Sequence, residues 1–310
     1  MSKENLKREI TGKKLTKEQA SMLDTHRKLH KAKGGTYTDL DNVKVLKPVE
    51  HMKVHGTLKE RPEWLERLKS LMDAREQLRK QNNSANNRLL AMKRRTDNLD
   101  KETEQFLIEQ SDITKKQLGK LDRRIEKHLK TNPPAIAEAA LKIKGLGGIT
   151  IAYILIYIDI EKARYASSFW SYVGLDKPSH KRYEKNVSGG GNKTLRTALY
   201  AMAESFIKTR NVYRDIYDRC KEDLSVSEKI TQSRNTQGKL IECAWKDTKP
   251  SHRHGAAIRK MIKHFLADFW KVWRTLEGLD TPMLYPEAKL GHKGIVQPEE
   301  RGWDYMNQAT

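Results

Sequence analysis

Leu141-Lys-Ile-Lys-Gly145-Leu-Gly147-Gly148-Ile-Thr150-Ile-Ala152 is the stretch on which the fold turns. Apolar residues flank three glycines, and glycine lets a backbone turn tightly without a Cβ in the way. The pattern reads as a helix-hairpin-helix. Free amides at the start of its second helix can grip a phosphate. Gly145, Gly147, Gly148 and Thr150 are therefore candidate contacts to a DNA backbone, and such contacts carry no sequence preference. The plain alternative is a glycine-rich connector between two helices.

Outward from this turn the pattern stays helical. The apolar run Ile149 to Ile160 falls well short of the ~20 residues that span a bilayer, so it reads as a buried element. Helices are expected again at Leu195 to Lys208 and at Ala256 to Leu276. Phe265, Phe269, Trp270 and Trp273 lie at helical spacing on the latter and read as core rather than as base-stacking platforms. Lys249-Pro-Ser251-His252-Arg-His254-Gly-Ala-Ala reads as a basic loop before that helix rather than as a second metal or phosphate site. Upstream, Trp64, Leu68, Leu71 and Leu78, then Leu107, Leu118, Leu121, Ile125 and Leu129, recur at helical spacing. Two antiparallel helices or a coiled coil are expected there, with a second copy of the chain as a candidate partner. Asn82-Asn83-Ser84-Ala85-Asn86-Asn87 interrupts the pattern, either as a loop or as a polar face packed on another element. Asn132-Pro133-Pro134 closes the zone, because consecutive prolines cannot continue a helix. The expected fold class is mainly α, with four zones: 1–58, a small hairpin-and-helix module; 59–134, a helical linker or coiled coil; 135–278, a helical domain; and 279–310, an extended tail.

Composition narrows the partners. Lys and Arg number 61 against 40 Asp and Glu in 310 residues, a formal net charge of +21, with a sequence pI near 9.8. A chain this basic commonly meets a polyanion, nucleic acid first among them, although a solvated helical surface gives the same total. Cys220 and Cys243 form no CxxC pair, which excludes a disulfide scaffold and a cysteine-rich zinc module. No apolar signal segment opens the sequence. A reducing, prokaryotic-type cytoplasm close to the nucleoid is the expected location, with DNA as partner and no membrane.

A second signal lies near the start: Asp24-Thr-His26-Arg27-Lys-Leu-His30-Lys-Ala-Lys-Gly34-Gly35-Thr-Tyr-Thr-Asp-Leu-Asp-Asn42-Val-Lys-Val-Leu, then His51-Met-Lys-Val-His55-Gly56. His51 and His55 fall one helical turn apart, where two imidazoles can share a metal. Gly34-Gly35 reads as a tight turn between two short strands. The module is then a β-hairpin followed by a helix, with His26 on the first strand. Phosphodiester cleavage needs a base to activate water and a cation on the leaving oxygen. Neutral His26 suits the base, His51 and His55 the cation, and Asn42 would brace the hairpin. Asp24 is the nearest further carboxylate, although strand alternation turns it away from the side of Thr25 unless the strand bulges. The expected cofactor is one divalent metal, Mg2+ first, with Zn2+, Mn2+ and Ni2+ also accepted by a two-histidine site.

This pattern resembles the His-Asn-His (HNH, ββα-metal) endonucleases in its His-Arg start at His26 and Arg27, its Gly-Gly turn followed by Tyr, its Asn-Val and its closing His-x3-His. The resemblance implies catalytic roles for His26, Asn42 and His51, metal ligation by His51 and His55, and DNA contact by Arg27. The family places His or Asp just before the base, where this chain has Thr25. A degenerate module that binds DNA without cutting is the alternative.

A further pattern follows the opening stretch: Ser167-Ser168-Phe169-Trp-Ser-Tyr172-Val-Gly174-Leu175, then Val187-Ser188-Gly-Gly-Gly191-Asn192-Lys193-Thr-Leu195-Arg196. From about Ala135 to Lys208 the chain resembles the C-terminal transposase domain of the DEDD insertion-sequence transposases, the bridge-RNA recombinases. That resemblance implies a serine that attacks DNA, with Ser179 and Ser188 as candidates, and DNA contacts at Asn192, Lys193 and Arg196. It also raises a guide RNA as a partner. No DEDD domain accompanies the module. The expected activity is metal-dependent DNA cleavage for a mobile element. The alternatives are a transposase or recombinase with its serine in the C-terminal domain, and a non-catalytic DNA-binding protein.

Overall fold

The structure is a computed structural model. It describes the backbone of residues 24–27 and 43–46, and residues 62–94, 101–131, 133–176, 190–234, 237–283 and 296–305 in full. The chain divides into two compact units, Met1–Glu63 and Trp64–Thr310.

In the first unit β1 (Asp24–Arg27) pairs antiparallel with β2 (Val43–Leu46). Asp24 faces Leu46 in the register, Thr25 faces Val45, His26 faces Lys44 and Arg27 faces Val43. One residue opposes one residue along the ladder, so no bulge shifts the register between Asp24 and Arg27. Gly34, Gly35, Asn42, His51 and His55 lie outside the described residues.

The second unit begins with α1 (Glu63–Arg94) and α2 (Lys101–Lys130). His128 Nε2 lies 2.9 Å from Trp64 O, and Arg75 Nε 2.6 Å from Asp122 Oδ1. Farther along, Ser111 Oγ lies 3.0 and 3.1 Å from Oδ1 of Asn82 and Asn86, and Lys93 pairs with Glu104 at 3.5 Å. As the partner in α1 advances, the partner in α2 recedes, so the two helices form an antiparallel hairpin. Asn82–Asn87 lies inside α1, and two of its residues, Asn82 and Asn86, form the polar face that the second alternative required. The single Ser111 proton can serve one amide oxygen, and the other amide turned over can donate to the hydroxyl. Leu68, Met72, Ile125 and Leu129, near the base of the hairpin, join the hydrophobic core of the rest of the unit.

That core is built on α3 (Ala135–Leu141), α4 (Gly148–Tyr157), α5 (Ala166–Val173), α6 (Lys193–Thr209), α7 (Arg214–Val226) and α8 (Pro250–Leu276). The run 149–160 is indeed a buried element. Ile151, Ala152 and Ile154 on α4 are fully buried, as expected of a helix apolar all round. On α8 the buried positions Ile258, Met261, Ile262, Phe265, Leu266, Phe269, Trp270 and Trp273 follow the helical period. Phe265 packs edge-on against Phe206 and Tyr213, and Phe269 against Trp273, so the aromatic residues are core.

Three expectations are corrected. The stretch from Lys249 is no loop: Pro250 sits at the start of α8, where its missing N–H costs nothing. Here His252 packs at a tilt against Trp245, His254 Nδ1 lies 2.8 Å from Tyr217 Oη, and Arg253 donates to the carbonyls of Lys246 and Thr248. The tail is not wholly extended, since a short 3-10 turn at Glu299–Arg301 folds it back. Trp303 and Tyr305 are buried, Trp303 Nε1 donates to Tyr213 Oη at 2.8 Å, and Arg301 pairs with the buried Asp268 at 2.8 Å. Between α7 and α8 lies an unexpected antiparallel hairpin, β3 (Ile230–Arg234) with β4 (Leu240–Ala244). Its apolar residues Ile230, Leu240 and Ile241 are exposed, so it lacks the inside–outside alternation that identifies a half-buried strand. No helix among the described residues is long and apolar enough to cross a membrane.

Candidate nucleic-acid interface

The turn 142–147 joins α3 to α4 and is pinned from α6. Gly145 has φ +81, and a Cβ there would meet Thr209 Oγ1 at 2.5 Å, so both conformation and space require glycine. Its carbonyl accepts from Ser205 Oγ at 2.9 Å, and Lys144 O accepts from Asn211 Nδ2. Ser205 and Asn211 hold the turn from a distant part of the sequence, and Thr209 packs against Gly145, with no local signal to mark them. Gly147 is exposed and caps α4, with no atom within 4 Å of where its Cβ would stand. Thr150 and Ile151 are the first amides to bond back, both to Gly147 O, at 3.0 and 3.3 Å. The amides of Gly148 and Ile149 precede that ladder, at the electropositive end of the helix. Gly148 itself is buried against Leu129, and the Thr150 side chain is buried too. Of the predicted backbone contacts, Gly147 is thus the most open to a phosphate.

The second feature is a backbone crossing. Gly174 ends α5 in the left-handed conformation, φ +74, and Gly191, φ +68, precedes α6. A Cβ on Gly174 would stand 2.6 Å from Gly190 O, and one on Gly191 would overlap Gly174 N and Val173 C. Asn192 N donates to Tyr172 O at 2.8 Å, and Asn192 Oδ1 caps α6 by accepting from Leu195 N at 2.9 Å. Arg196 is 7% exposed, and its Nη1 donates to Val173 O at 2.8 Å and to Gly190 O at 2.5 Å. Its guanidinium therefore fastens the crossing rather than presenting itself to a phosphate. Lys193 is exposed at the first position of α6.

The crossing holds Val173 and Gly174, before the segment 177–189, against Gly190 and Gly191, after it. The candidate nucleophiles Ser179 and Ser188 fall in that segment and lie outside the described residues, as do Asn42, His51 and His55 of the N-terminal signal. Asp24, His26 and Arg27 are placed by their backbone on β1. Among the described residues no group of three or more His, Cys, Asp and Glu side chains could hold a metal ion.

A partly buried polar cluster links the helical hairpin to α4, and sequence reasoning missed it. Tyr153 Oη donates to Glu76 Oε1, and Arg75 Nη1 lies 3.4 Å from the same oxygen of Tyr153. Glu76 also pairs with Arg79 at 2.9 Å. Burial, with the Glu76 carboxylate beside it, raises the Tyr153 phenol above its ordinary range, so it stays a hydrogen-bond donor.

Comparison with known families agrees with this part of the chain. Residues 137–218 match the model of the transposase IS116/IS110/IS902 family, from α3 through the turn and the glycine crossing into α7. The whole chain has no match among curated proteins.

Proposed function

We propose that this chain is a transposase or recombinase that acts on the DNA of a mobile element. The glycine crossing carries the reading: it lies within the part that matches the transposase family and joins the residues on either side of the segment that includes Ser179 and Ser188. In this reading one of those serines attacks a backbone phosphorus. The Oγ–P bond forms, the P–O bond to one sugar breaks, and the departing sugar oxygen takes a proton while the serine gives one up. The phosphate remains a diester, so the reverse attack can join strands without another energy source. Lys193 and the open Gly147 amide end of α4 would hold the neighbouring phosphates.

The test is a labelled supercoiled plasmid incubated with the full chain, denatured and resolved for protein–DNA adducts. The adduct should form with the parent chain and vanish in Ser179→Ala or Ser188→Ala. An adduct that persists in the double variant overturns the serine assignment. Running the assay with co-purified RNA retained or digested asks whether a guide RNA takes part. A second copy of the chain would dock on the helical hairpin along α2, where Phe106 and Ile113 are exposed one above the other. Sedimentation of the parent against Phe106→Lys checks this, and a parent that stays monomeric at micromolar concentration counts against it.

A second reading keeps the His-Asn-His module as a nuclease, and the antiparallel ladder that carries His26 supports it. It would use His26 as base and one divalent metal, Mg2+ first, held through His51 and His55. Metal-dependent plasmid nicking that survives His26→Ala would remove that role from His26.

A further inference from the structure

We propose that the outward face of α1, formed by Lys80, Asn83, Ser84, Asn87, Arg88 and Ala91, is a reading helix for the major groove of duplex DNA. The proposal rests on the reading that this chain acts on DNA, and it adds a site outside the segment that matches the transposase family.

The six residues line one shallow groove on the protein surface. They recur at three- and four-residue steps, so they form one stripe of roughly 16 Å along the helix. All six are exposed. The asparagine run is divided between two jobs. Asn82 and Asn86 face α2 and meet Ser111. Asn83 and Asn87 face outward, and among the described residues their amides have no hydrogen-bond partner. Asparagine is a poor helix former, because its side chain competes for backbone groups. Inside a long helix two exposed asparagines weaken the element, which points to a partner outside the chain.

The charge of this half of α1 identifies that partner. From Gln77 to Arg94 the helix carries Arg79, Lys80, Arg88, Lys93 and Arg94 and no Asp or Glu. Arg79 is paired with Glu76 and Lys93 with Glu104. Lys80 and Arg88 form no ion pair among the described residues and flank the asparagines on the same stripe. A helix fits the major groove of B-form DNA, where an asparagine amide can bond adenine through N6 and N7 together. Asn83 and Asn87 stand about 6 Å apart along the axis, close to two base steps. Lys80 and Arg88 would then lie against the flanking phosphates, and the Ala91 methyl group could meet a thymine methyl. The major groove of A-form RNA is too deep and narrow for such a helix, which favours DNA.

The test uses the full chain and a pool of duplexes with a randomised centre. Bound duplexes are selected, sequenced and titrated by fluorescence anisotropy at several salt concentrations. The parent should enrich an adenine-containing motif. N83A/N87A should lose that motif and roughly tenfold or more of its preference for it, while its binding to the unselected pool changes less than about threefold. K80Q/R88Q should weaken binding to every duplex and lower the salt slope by about two. Both pairs of residues are exposed, and unchanged circular dichroism confirms the fold. Selection of the same motif by N83A/N87A overturns the proposal, as does a parent that binds the pool and enriches nothing, or one that uses these residues for structured RNA instead. A parent that binds no duplex at all overturns the functional reading along with it.

Discussion

Gly174 and Gly191 cross so closely that neither position has room for a Cβ, and both have positive φ. The buried Arg196 closes the crossing from below by donating to Val173 O and Gly190 O. One contact therefore joins the two short backbone stretches that flank the segment 177–189.

Gly191→Ala should destabilise the chain by about 2 kcal/mol or more, since it combines a strained φ with overlap onto backbone that cannot swing aside. Gly147→Ala is the control, with ordinary φ and open space around it, and should cost about 1 kcal/mol or less as a poorer cap. Urea unfolding of the two variants measures the difference. Equal losses would mean that the crossing is not the constraint described.

Arg196→Met should cost roughly 2–3 kcal/mol, because it leaves two poorly solvated carbonyls without their donor. Arg196→Lys should recover only part of this, having one compact ammonium in place of a planar fork. If Arg196 contacted phosphate instead, Met would leave the melting temperature unchanged and weaken DNA binding.

The returned tail should behave as part of the core. Trp303→Ala removes a ring that is 2% exposed and packed against Phe265 at a tilt and Phe269 edge-on, together with the donor to Tyr213 Oη. A loss of about 3–5 kcal/mol is expected from calorimetry. A loss below 1 kcal/mol would show that the tail rests on the surface.

Acid should destabilise the fold through His264. Burial, with Arg301 and Lys260 nearby, lowers its folded value from 6.5 to about 4. Between those values the unfolded chain binds the proton and the folded chain does not. The stability is fully present above pH 6.5 and is lost as pH falls toward 4, with a slope no steeper than about 1.4 kcal/mol per pH unit. His264→Gln should flatten this part of the profile relative to the parent, which urea midpoints across pH 4 to 7 will read. Asp268 is raised by burial and responds in the opposite sense, so the comparison with the variant isolates the histidine.

Helical spacing by itself identified α1, α2, α6 and α8, because burying one face of a long helix repeats an apolar residue every three or four positions. The glycines placed the turn around Gly145, where backbone geometry restricts the residue types allowed, whereas Asn192 read as a DNA contact and proved to cap α6. The strand pairing of His26 with Lys44 followed the expected hairpin, and the Pro-rich, polar tail read as extended until Trp303 and Tyr305 proved to be buried. Tertiary structure decided what those local signals leave open. Arg196 reads as a cation for DNA until its carbonyl partners are known, and the Asn82–Asn87 run reads equally as a loop or a packed polar face until Ser111 is seen opposite it. The pairing of Tyr153 with Glu76 and the hold of Asn211 on Lys144 O had no sequence signal at all. The opening glycine turn was legible because its constraint is local, within a few residues of backbone. The use made of each polar side chain was not, because its partner is chosen by packing between segments far apart in the chain.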